Sequence, residues 1–218
     1  MTIANPIHAI PFRKSSPIEE ALMRASIVPL TIEQYHQMID QGIVPEDSTI
    51  ELLRGVLVRK DRSVIGEDPM GHSPLHKLVV ALLTALAARI NSDRQHLQIQ
   101  LPVICPPNGE PEPDASIIRG TPRHYLDRLP GPGDVTCVIE VAHSSLERDR
   151  EDKSPGYAAA GIGQYVIINL QNMTVEVYEE PDAAGQQYRK RATLERGATV
   201  ELKSPEGIVA VEVRDILP

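Results

Sequence analysis

Two acidic residues lie beside apolar runs that are typical of neighbouring strands. Asp114 precedes the run 115–118, and Glu140 lies within the Val- and Ile-rich run 135–141. Alternate residues of a strand face opposite sides, so Glu140 should point away from the apolar side chains at 135, 137, 139 and 141. Carboxylates that converge repel one another and usually need a cation between them. Their hard oxygens suit Mg²⁺, which completes its shell with water and substrate phosphate, so the pair predicts a metal site for phosphoryl chemistry.

Each acid also has a purely structural explanation. Asp114 follows a proline and could be a turn residue whose side chain bonds nearby backbone groups. Glu51 could be an exposed strand acid paired with Arg54 or Arg59. For Glu140 the structural alternative is a buried salt bridge, which is less common than an edge position or a functional site. Glu140 is therefore the acid that most strongly indicates a site.

Several basic residues have two interpretations as well. His76 and His143 could contact metal or phosphate, although single histidines at such positions are more often hydrogen-bonding surface groups. Lys153 on its own would be interpreted as a solvated helix residue, because it follows the charged run 148–152. A basic cluster near Asp114 in sequence could steer phosphate or could be a solvated loop, and its members are Arg119, Arg123, His124 and Arg128.

Two helices and a hairpin are predicted in the first half of the chain. A capping box at Thr31 begins a helix that ends at Asp40. Two apolar runs joined by an Arg-Gly pair predict a hairpin over 50–58. An N-cap serine and a first-turn proline at 73–74 begin a longer helix, whose predicted core face is Leu75, Leu78, Val79, Leu82, Leu86 and Ile90.

The second half of the chain is dominated by predicted strands. A short helix is predicted through Tyr157 to Ala160, starting at 154–155 or in the preceding Asp/Arg stretch, and ending at Gly161. The predicted strands lie at 97–103, 114–118, 135–141, 164–170 and 174–178, followed by short antiparallel strands separated by Gly185, Gly197 and Gly207. These elements predict an α/β fold with a central mixed β-sheet flanked by helices.

The composition favours a cytoplasmic protein without a membrane role. The chain has 218 residues with 22 basic and 30 acidic side chains, and its formal charge of −8 limits nucleic-acid binding to local or metal-assisted contacts. We expect a single domain over 28–218 behind an N-terminal arm, 1–27, that is poorly ordered or packed on a partner. No secretory signal or membrane span is predicted. Cys105 and Cys137 could pair, but two core thiols in a reducing compartment are favoured.

A series of short motifs follows from about Thr31 to the C-terminus. They are Ile50-Glu51-Leu52-Leu53-Arg54-Gly55, Pro113-Asp114, Val138-Ile139-Glu140-Val141-Ala142-His143-Ser144-Ser145-Leu146, Asp149-Arg150-Glu151-Asp152-Lys153, Tyr157-Ala158-Ala159-Ala160-Gly161-Ile162 and Tyr165-Val166-Ile167-Ile168-Asn169-Leu170. No single motif is specific. The ordered set resembles the Uma-type putative restriction endonuclease family, a branch of the PD-(D/E)XK nuclease superfamily, and implies a restriction endonuclease-like fold.

The resemblance also implies a set of site residues. Glu51, Asp114 and Glu140 correspond to the metal-binding acids of the family. The usual lysine of the superfamily lies two residues beyond the strand acid, where this chain has Ala142. In the Uma type the lysine is displaced to the start of the following helix, which implies Lys153 here.

The implied chemistry is metal-assisted hydrolysis of phosphodiester bonds in DNA. Mg²⁺, with Mn²⁺ as a substitute, would be held by the three acids and the Val141 carbonyl, and would lower the pKa of a bound water. Lys153 would orient that water or offset charge on the phosphoryl oxygens. Asp149 and Tyr157 lie four residues before and after Lys153, and are predicted to extend its helical face as accessory residues.

Three functions stay open at this stage. The first is a Mg²⁺-dependent DNA endonuclease, expected to act as a homodimer because dimers are common for this fold. The second is a catalytically silent nuclease fold that serves as a binding or assembly module, favoured by the acidic charge and by Ala142. The third is a phosphohydrolase for small nucleotides, which is compatible with weak affinity for polyanions.

Overall fold

The computed structural model describes residues 28–45, 49–60 and 73–218. The predicted N-terminal arm, 1–27, lies outside these residues. Within the described ranges, no helix is both long enough and apolar enough to cross a bilayer.

Helix α1 (Ile32–Asp40) has the predicted boundaries and the predicted cap. The Thr31 side chain accepts a hydrogen bond from the Gln34 N–H, and the Gln34 side chain accepts one from the Thr31 N–H. The Tyr35 hydroxyl donates to the Ile50 carbonyl at 3.0 Å. This bond ties α1 to the strand that carries the first candidate acid.

Strands β1 (Ile50–Leu53) and β2 (Val56–Arg59) form the predicted hairpin. The turn residues Arg54 and Gly55 have φ values of 52° and 84°. A two-residue turn whose twist matches the strands requires this left-handed conformation at both positions, which only glycine adopts without strain. An arginine at the first turn position is therefore unusual.

Helices α2 (Pro74–Ala85) and α3 (Ala87–Ile90) form where one longer helix was predicted. The predicted cap is confirmed, because the Ser73 hydroxyl accepts the His76 N–H at 3.1 Å. The predicted core face was partly wrong, since Leu75 and Leu78 are 42% and 45% exposed. The buried face includes Val79, Leu83, Leu86 and Ile90. It is rotated toward His76, whose ring bonds the Asp114 carboxylate just before β4.

The central sheet has six strands in the order β3-β4-β5-β6-β7-β8. Strands β5 and β6 run parallel, and the other neighbouring pairs of this sheet run antiparallel. The strand bounds are β3 Gln95–Ile99, β4 Ala115–Arg119, β5 Val135–Ala142, β6 Gln164–Asn169, β7 Thr174–Asp182 and β8 Gln187–Leu194. The predicted α/β fold with a central mixed sheet is thus confirmed.

Strand β3 ends earlier than predicted. Gln100 follows it with φ of 47°, and Leu101 is 54% exposed. The left-handed residue interrupts the extended backbone, and Pro102 has no N–H to continue the ladder. The alternation of apolar and polar residues therefore continues to Val103, but the strand itself ends at Ile99.

Apolar side chains cover both faces of the sheet. On β5, Cys137, Ile139 and Val141 pack with α2, α3 and a second hairpin, which consists of β9 (Thr199–Ser204) and β10 (Gly207–Glu212) and is followed by helix α6 (Val213–Ile216). Val138 and Ala142 belong to a second core on the opposite face. Cys105 and Cys137 are buried free thiols, one in each core, as favoured by the sequence.

A continuous helical segment covers the second core. It starts at Leu146, earlier than 154–155, and consists of α4 (Leu146–Arg148), a π-helical turn (Asp149–Lys153) and α5 (Ser154–Ala159). The Ser154 N–H bonds the carbonyl of Asp149, five residues back. Pro155 supplies no N–H and its ring would crowd the carbonyl four residues before it in an α-helix, which accounts for the wider turn at this place.

Candidate active site

Three buried side chains from three parts of the chain meet at one point. Glu51 comes from β1, Glu140 from β5 and Lys153 from the π-helical turn, and each side chain is at most 5% exposed. The Lys153 Nζ lies 2.8 Å from Glu140 Oε1 and 3.5 Å from Glu51 Oε2. We call these three residues the acid–lysine cluster.

A second donor fixes Glu140. The Tyr157 hydroxyl, on α5, donates to Glu140 Oε1 at 2.9 Å. Burial raises the pKa of Tyr157, and the charge of Glu140 raises it further, so the hydroxyl keeps its proton and remains a donor. Lys153 and Tyr157 therefore hold the same carboxyl oxygen from one helical segment.

Strand register places Asp114 beside Glu140. Ala115 on β4 pairs with Ile139 on the antiparallel strand β5, so Asp114 and Glu140 are the next positions along the two strands. The Asp114 Oδ2 accepts the Val141 N–H at 2.8 Å. The third predicted acid therefore borders the acid–lysine cluster.

Hydrogen bonds keep Asp114 ionised. The His76 Nε2 lies 3.2 Å from each Asp114 carboxyl oxygen, and the Gln100 Nε2 donates to Oδ1 at 3.4 Å. Burial raises the pKa of Asp114, but the bonds from His76 and Val141 and the charge of Lys153 outweigh burial and lower the pKa below its usual value. His76, one of the two candidate histidines, thus positions an acid of the site.

The site contains more negative than positive groups. Burial raises the pKa of Glu140, with the charge of Lys153 opposing the rise and Asp149, Asp114 and Glu51 adding to it. Burial lowers the pKa of Lys153, but the charges of Glu140 and Glu51 outweigh burial and raise it, so the amine stays charged. One ammonium group serves several acids, and a further cation would relieve their repulsion.

Glu51 keeps one oxygen available. Its Oε2 accepts the Glu112 N–H at 3.2 Å. Its Oε1 is buried and has no hydrogen-bond partner in the described part of the chain. A buried acceptor without a partner is costly, and a hard cation is the type of group that would satisfy it.

The donor chemistry fits a divalent cation, although Lys153 now lies between two of the acids. Among the residues that the structure describes, no three His, Cys, Asp or Glu side chains are grouped as a ready metal site. Ion binding would therefore need side-chain rearrangement around Lys153. The Val141 N–H is bonded to Asp114, and the Val141 carbonyl stays a proposed ligand.

The other accessory candidates, Asp149 and His143, make different contacts. Asp149 accepts the Ser145 hydroxyl at 2.6 Å. Burial raises the pKa of Asp149 and Lys153 lowers it, so the two residues interact through charge. His143 lies just beyond β5, is half-buried, and its main-chain carbonyl accepts the Gln171 side-chain amide.

The basic cluster lies away from the acids. Arg119 is the last residue of β4, whereas Asp114 precedes its first residue. Arg123 lies in the following 3₁₀ turn, Pro122–Tyr125. Arg128 bonds Asp134 at 2.6 Å, and its guanidinium lies 4.8 Å from the centre of the Tyr125 ring. Although these residues are close to Asp114 in sequence, they lie at or beyond the opposite end of β4.

A second buried acid was missed from the sequence. Glu176 on β7 is 1% exposed and accepts hydrogen bonds from four side chains, those of Arg150, Arg191, Tyr178 and Asn169. Arg150 belongs to the π-helical turn that carries Lys153. Glu176 therefore anchors the turn to the sheet. An acid between Val175 and Val177 is the same signal that identified Glu140.

The comparisons with known proteins identify a family and a similar fold. The family model described as Uma2, putative restriction endonuclease, matches residues 32–212. A crystal structure of a putative nuclease belonging to DUF820 from Anabaena variabilis matches with a TM-score of 0.62 and 14% identity, over 86% of this chain and 97% of that chain. At this identity the likeness shows the fold alone. No curated protein matches the chain.

Proposed function

Because this chain belongs to the Uma2 family of putative restriction endonucleases, as its motifs predict, we propose that it is a metal-dependent endonuclease that hydrolyses phosphodiester bonds in DNA. One observation carries the proposal. Glu51 and Glu140 meet at Lys153, and Asp114 lies at the adjacent strand position. Family membership and fold support a nuclease, and the metal and the substrate are our proposals.

The acids are the proposed metal ligands. Asp114 and Glu140, together with Glu51 and the Val141 carbonyl, would hold Mg²⁺ or Mn²⁺. A bound ion would supply Lewis-acid chemistry, which would polarise the scissile phosphate and make the attacking water more acidic. The unpartnered Glu51 Oε1 and the excess of acids over cations support this assignment.

The remaining residues position these groups or offset charge. Lys153 stays an ammonium group, because the charges of Glu140 and Glu51 raise its pKa, so it can stabilise negative charge on phosphoryl oxygens. Tyr157 orients Glu140, and His76 orients Asp114.

The proposed substrate contacts are local. A formal charge of −8 opposes long-range attraction of a nucleic-acid backbone, so the metal and Lys153 would provide the main contacts to phosphate. We also propose a homodimer in the cytoplasm. The two buried free thiols, Cys105 and Cys137, are compatible with a reducing compartment.

Plasmid cleavage tests the proposal. Purified protein with Mg²⁺ or Mn²⁺ should convert supercoiled plasmid to nicked or linear DNA, and EDTA should prevent the conversion. Asp114→Ala should lose this activity, because it removes an acid at the predicted metal. Equal cutting by the wild type and Asp114→Ala would reject the assigned site.

A second candidate function is a catalytically silent binding module. It is favoured by the position of Lys153, whose ammonium already lies between Glu51 and Glu140, and by Ala142 at the usual lysine position. Calorimetric titration separates the two candidates. A silent module should give the same Mn²⁺ titration for the wild type and Asp114→Ala, whereas the endonuclease should bind Mn²⁺ through Asp114.

A further inference from the structure

A cavity of about 170 Å³ lies beside the acid–lysine cluster. Its walls come from the β1–β2 turn, the loop 105–111 and the helical segment that carries Lys153. Lys153 and Tyr157 line the cavity, and both also bond Glu140. A molecule in the cavity would therefore lie next to the proposed reaction centre.

The lining combines apolar walls with a few polar groups. The lining residues include the apolar Leu52, Pro106 and Pro107, and also Asn108 and Gln186, whose side chains carry amide groups. Pockets for drug-sized ligands are about 300–1,000 Å³, so this cavity suits one small ring system. A nucleobase is a flat ring with hydrogen-bonding edges, and enzymes bind an extruded base between apolar side chains with polar groups at its edge. The lining of this cavity therefore fits a nucleobase.

Two unusual turns meet at this cavity. Arg54 in the β1–β2 turn and Gln186 in the β7–β8 turn have φ values of 52° and 50°. The Arg54 Nη2 donates to Gln186 Oε1 at 2.7 Å. A non-glycine residue in this conformation is uncommon, and such strain clusters at ligand sites. Arg54 and Lys153 both line the cavity, so its lining includes two positively charged residues.

We propose that this cavity binds one nucleobase of the substrate strand, with the phosphate of the same nucleotide at Lys153. This inference rests on the proposed nuclease function and adds the substrate class, which is a strand with an unpaired or extruded base. An anion joined to a flat ring matches a positive group beside apolar walls. Base pairs in a continuous duplex are stacked and would not reach such a cavity.

Gly156 offers a way to narrow the cavity. It lines the cavity, and a Cβ at this position would lie 3.7 Å from Arg54 Cγ, which is ordinary contact distance. Gly156→Ala should fit, and Gly156→Leu should occupy the space of the ring. Gly133→Leu is the matched control, because a Cβ at Gly133 meets nothing within 4 Å and the residue does not line the cavity.

Binding is measured without metal, in EDTA, so that catalysis plays no part. The probes are dAMP and deoxyribose 5-phosphate, which differ only in the base, titrated by calorimetry or by ligand-detected NMR. We expect the wild type and Gly133→Leu to prefer dAMP by about tenfold, the order of one stacked base. Gly156→Leu should lose most of this preference and keep its affinity for deoxyribose 5-phosphate.

Two results would overturn the proposal. One is equal binding of dAMP and deoxyribose 5-phosphate by the wild type, and the other is an undiminished preference in Gly156→Leu. Thermal unfolding checks that each variant is folded, and Gly156→Ala, with a smaller expected loss of preference, replaces Gly156→Leu if the leucine unfolds the protein. A base preference without plasmid cleavage would refute the endonuclease and keep the nucleobase site, so the two failures are distinguishable.

Discussion

The Lys153 Nζ lies 2.8 Å from Glu140 Oε1 in a part of the protein where both side chains are almost fully buried. Glu51 approaches the same ammonium at 3.5 Å. Two acids on separate strands thus depend on one cation from a helical segment. Removing that cation leaves buried charge without compensation, which is far more destabilising than breaking an exposed pair.

Lys153→Met should lower the free energy of unfolding by about 3–5 kcal/mol, the usual cost of removing one partner of a buried ion pair. Urea denaturation monitored by circular dichroism measures this change. The double variant Lys153→Met/Glu140→Gln should recover part of the loss, because one of the uncompensated charges is removed as well.

Lys190→Met is the matched control for this prediction. Lys190 pairs with Glu180, and both side chains are about half exposed. Its loss should cost far less stability than the loss of Lys153, because exposed ion pairs contribute little. Equal costs at Lys153 and Lys190 would contradict the view that burial makes the Lys153 pair strong.

His76→Ala should weaken Mn²⁺ binding by about 10–100-fold, the usual effect of removing a partner that orients a ligand. The His76 Nε2 lies 3.2 Å from both carboxyl oxygens of Asp114, so its loss leaves the orientation of the acid to the Val141 N–H and the Gln100 side chain. Calorimetry measures the affinity, and plasmid cleavage should fall in parallel. His124→Ala, in the 3₁₀ turn beyond the opposite end of β4, should bind Mn²⁺ as the wild type does; a similar loss there would argue against local positioning.

Glu176→Gln should reduce stability at pH 7 by about 1–3 kcal/mol, because it removes a buried acid that is bonded to two partly exposed arginines. Burial raises the pKa of Glu176, but hydrogen bonds from Arg150, Tyr178 and Asn169 outweigh burial and lower it below its usual value. An acid with a lowered folded-state pKa stabilises the fold above its unfolded pKa of about 4.3, and this contribution is lost as the pH falls through the folded value.

The free energies of unfolding of the wild type and Glu176→Gln should therefore converge as the pH falls from 7 to below about 4. Urea denaturation at several pH values measures both. Glu180→Gln serves as the control, since this half-exposed acid should change stability by less than about 1 kcal/mol. A constant difference between the wild type and Glu176→Gln over the whole pH range would contradict the assignment to an ionised Glu176.

The sequence predicted the fold well wherever local chemistry decides the element. The capping box at Thr31, the Arg-Gly turn of the first hairpin and the Ser73 cap each depend on residues within a few positions of one another. The alternation in β5 also placed Glu140 away from the first core. It did not show that a second core covers the other face, so the acid is buried instead of facing solvent.

Relationships between distant residues were harder to predict. The rotation of α2 toward His76 follows from a bond to Asp114, 38 residues later, and a helical periodicity cannot show it. Arg150 was part of a charged run that looked solvated, but its partner Glu176 lies on another strand. The basic residues near Asp114 were separated from it by the length of β4, which sequence distance does not convey.

Added Mn²⁺ should raise the midpoint of thermal unfolding of the wild type by several degrees. A ligand at 100 times its dissociation constant stabilises the folded state by about 2.7 kcal/mol, and 1 kcal/mol shifts the midpoint by about 2–4 °C in a chain of this size. The reason to expect binding is electrostatic, since Asp114, Glu140 and Glu51 share the single ammonium of Lys153 and Glu51 Oε1 is unpartnered.

Asp114→Asn is the informative variant for this shift, because it keeps the side-chain shape and removes one acid. It should show little response to Mn²⁺ at concentrations that saturate the wild type, and EDTA should reverse the wild-type shift. If the wild type and Asp114→Asn respond equally, the ion binds elsewhere on the acidic surface. If neither responds, the acids do not bind Mn²⁺, and the catalytically silent module becomes the better account of this protein.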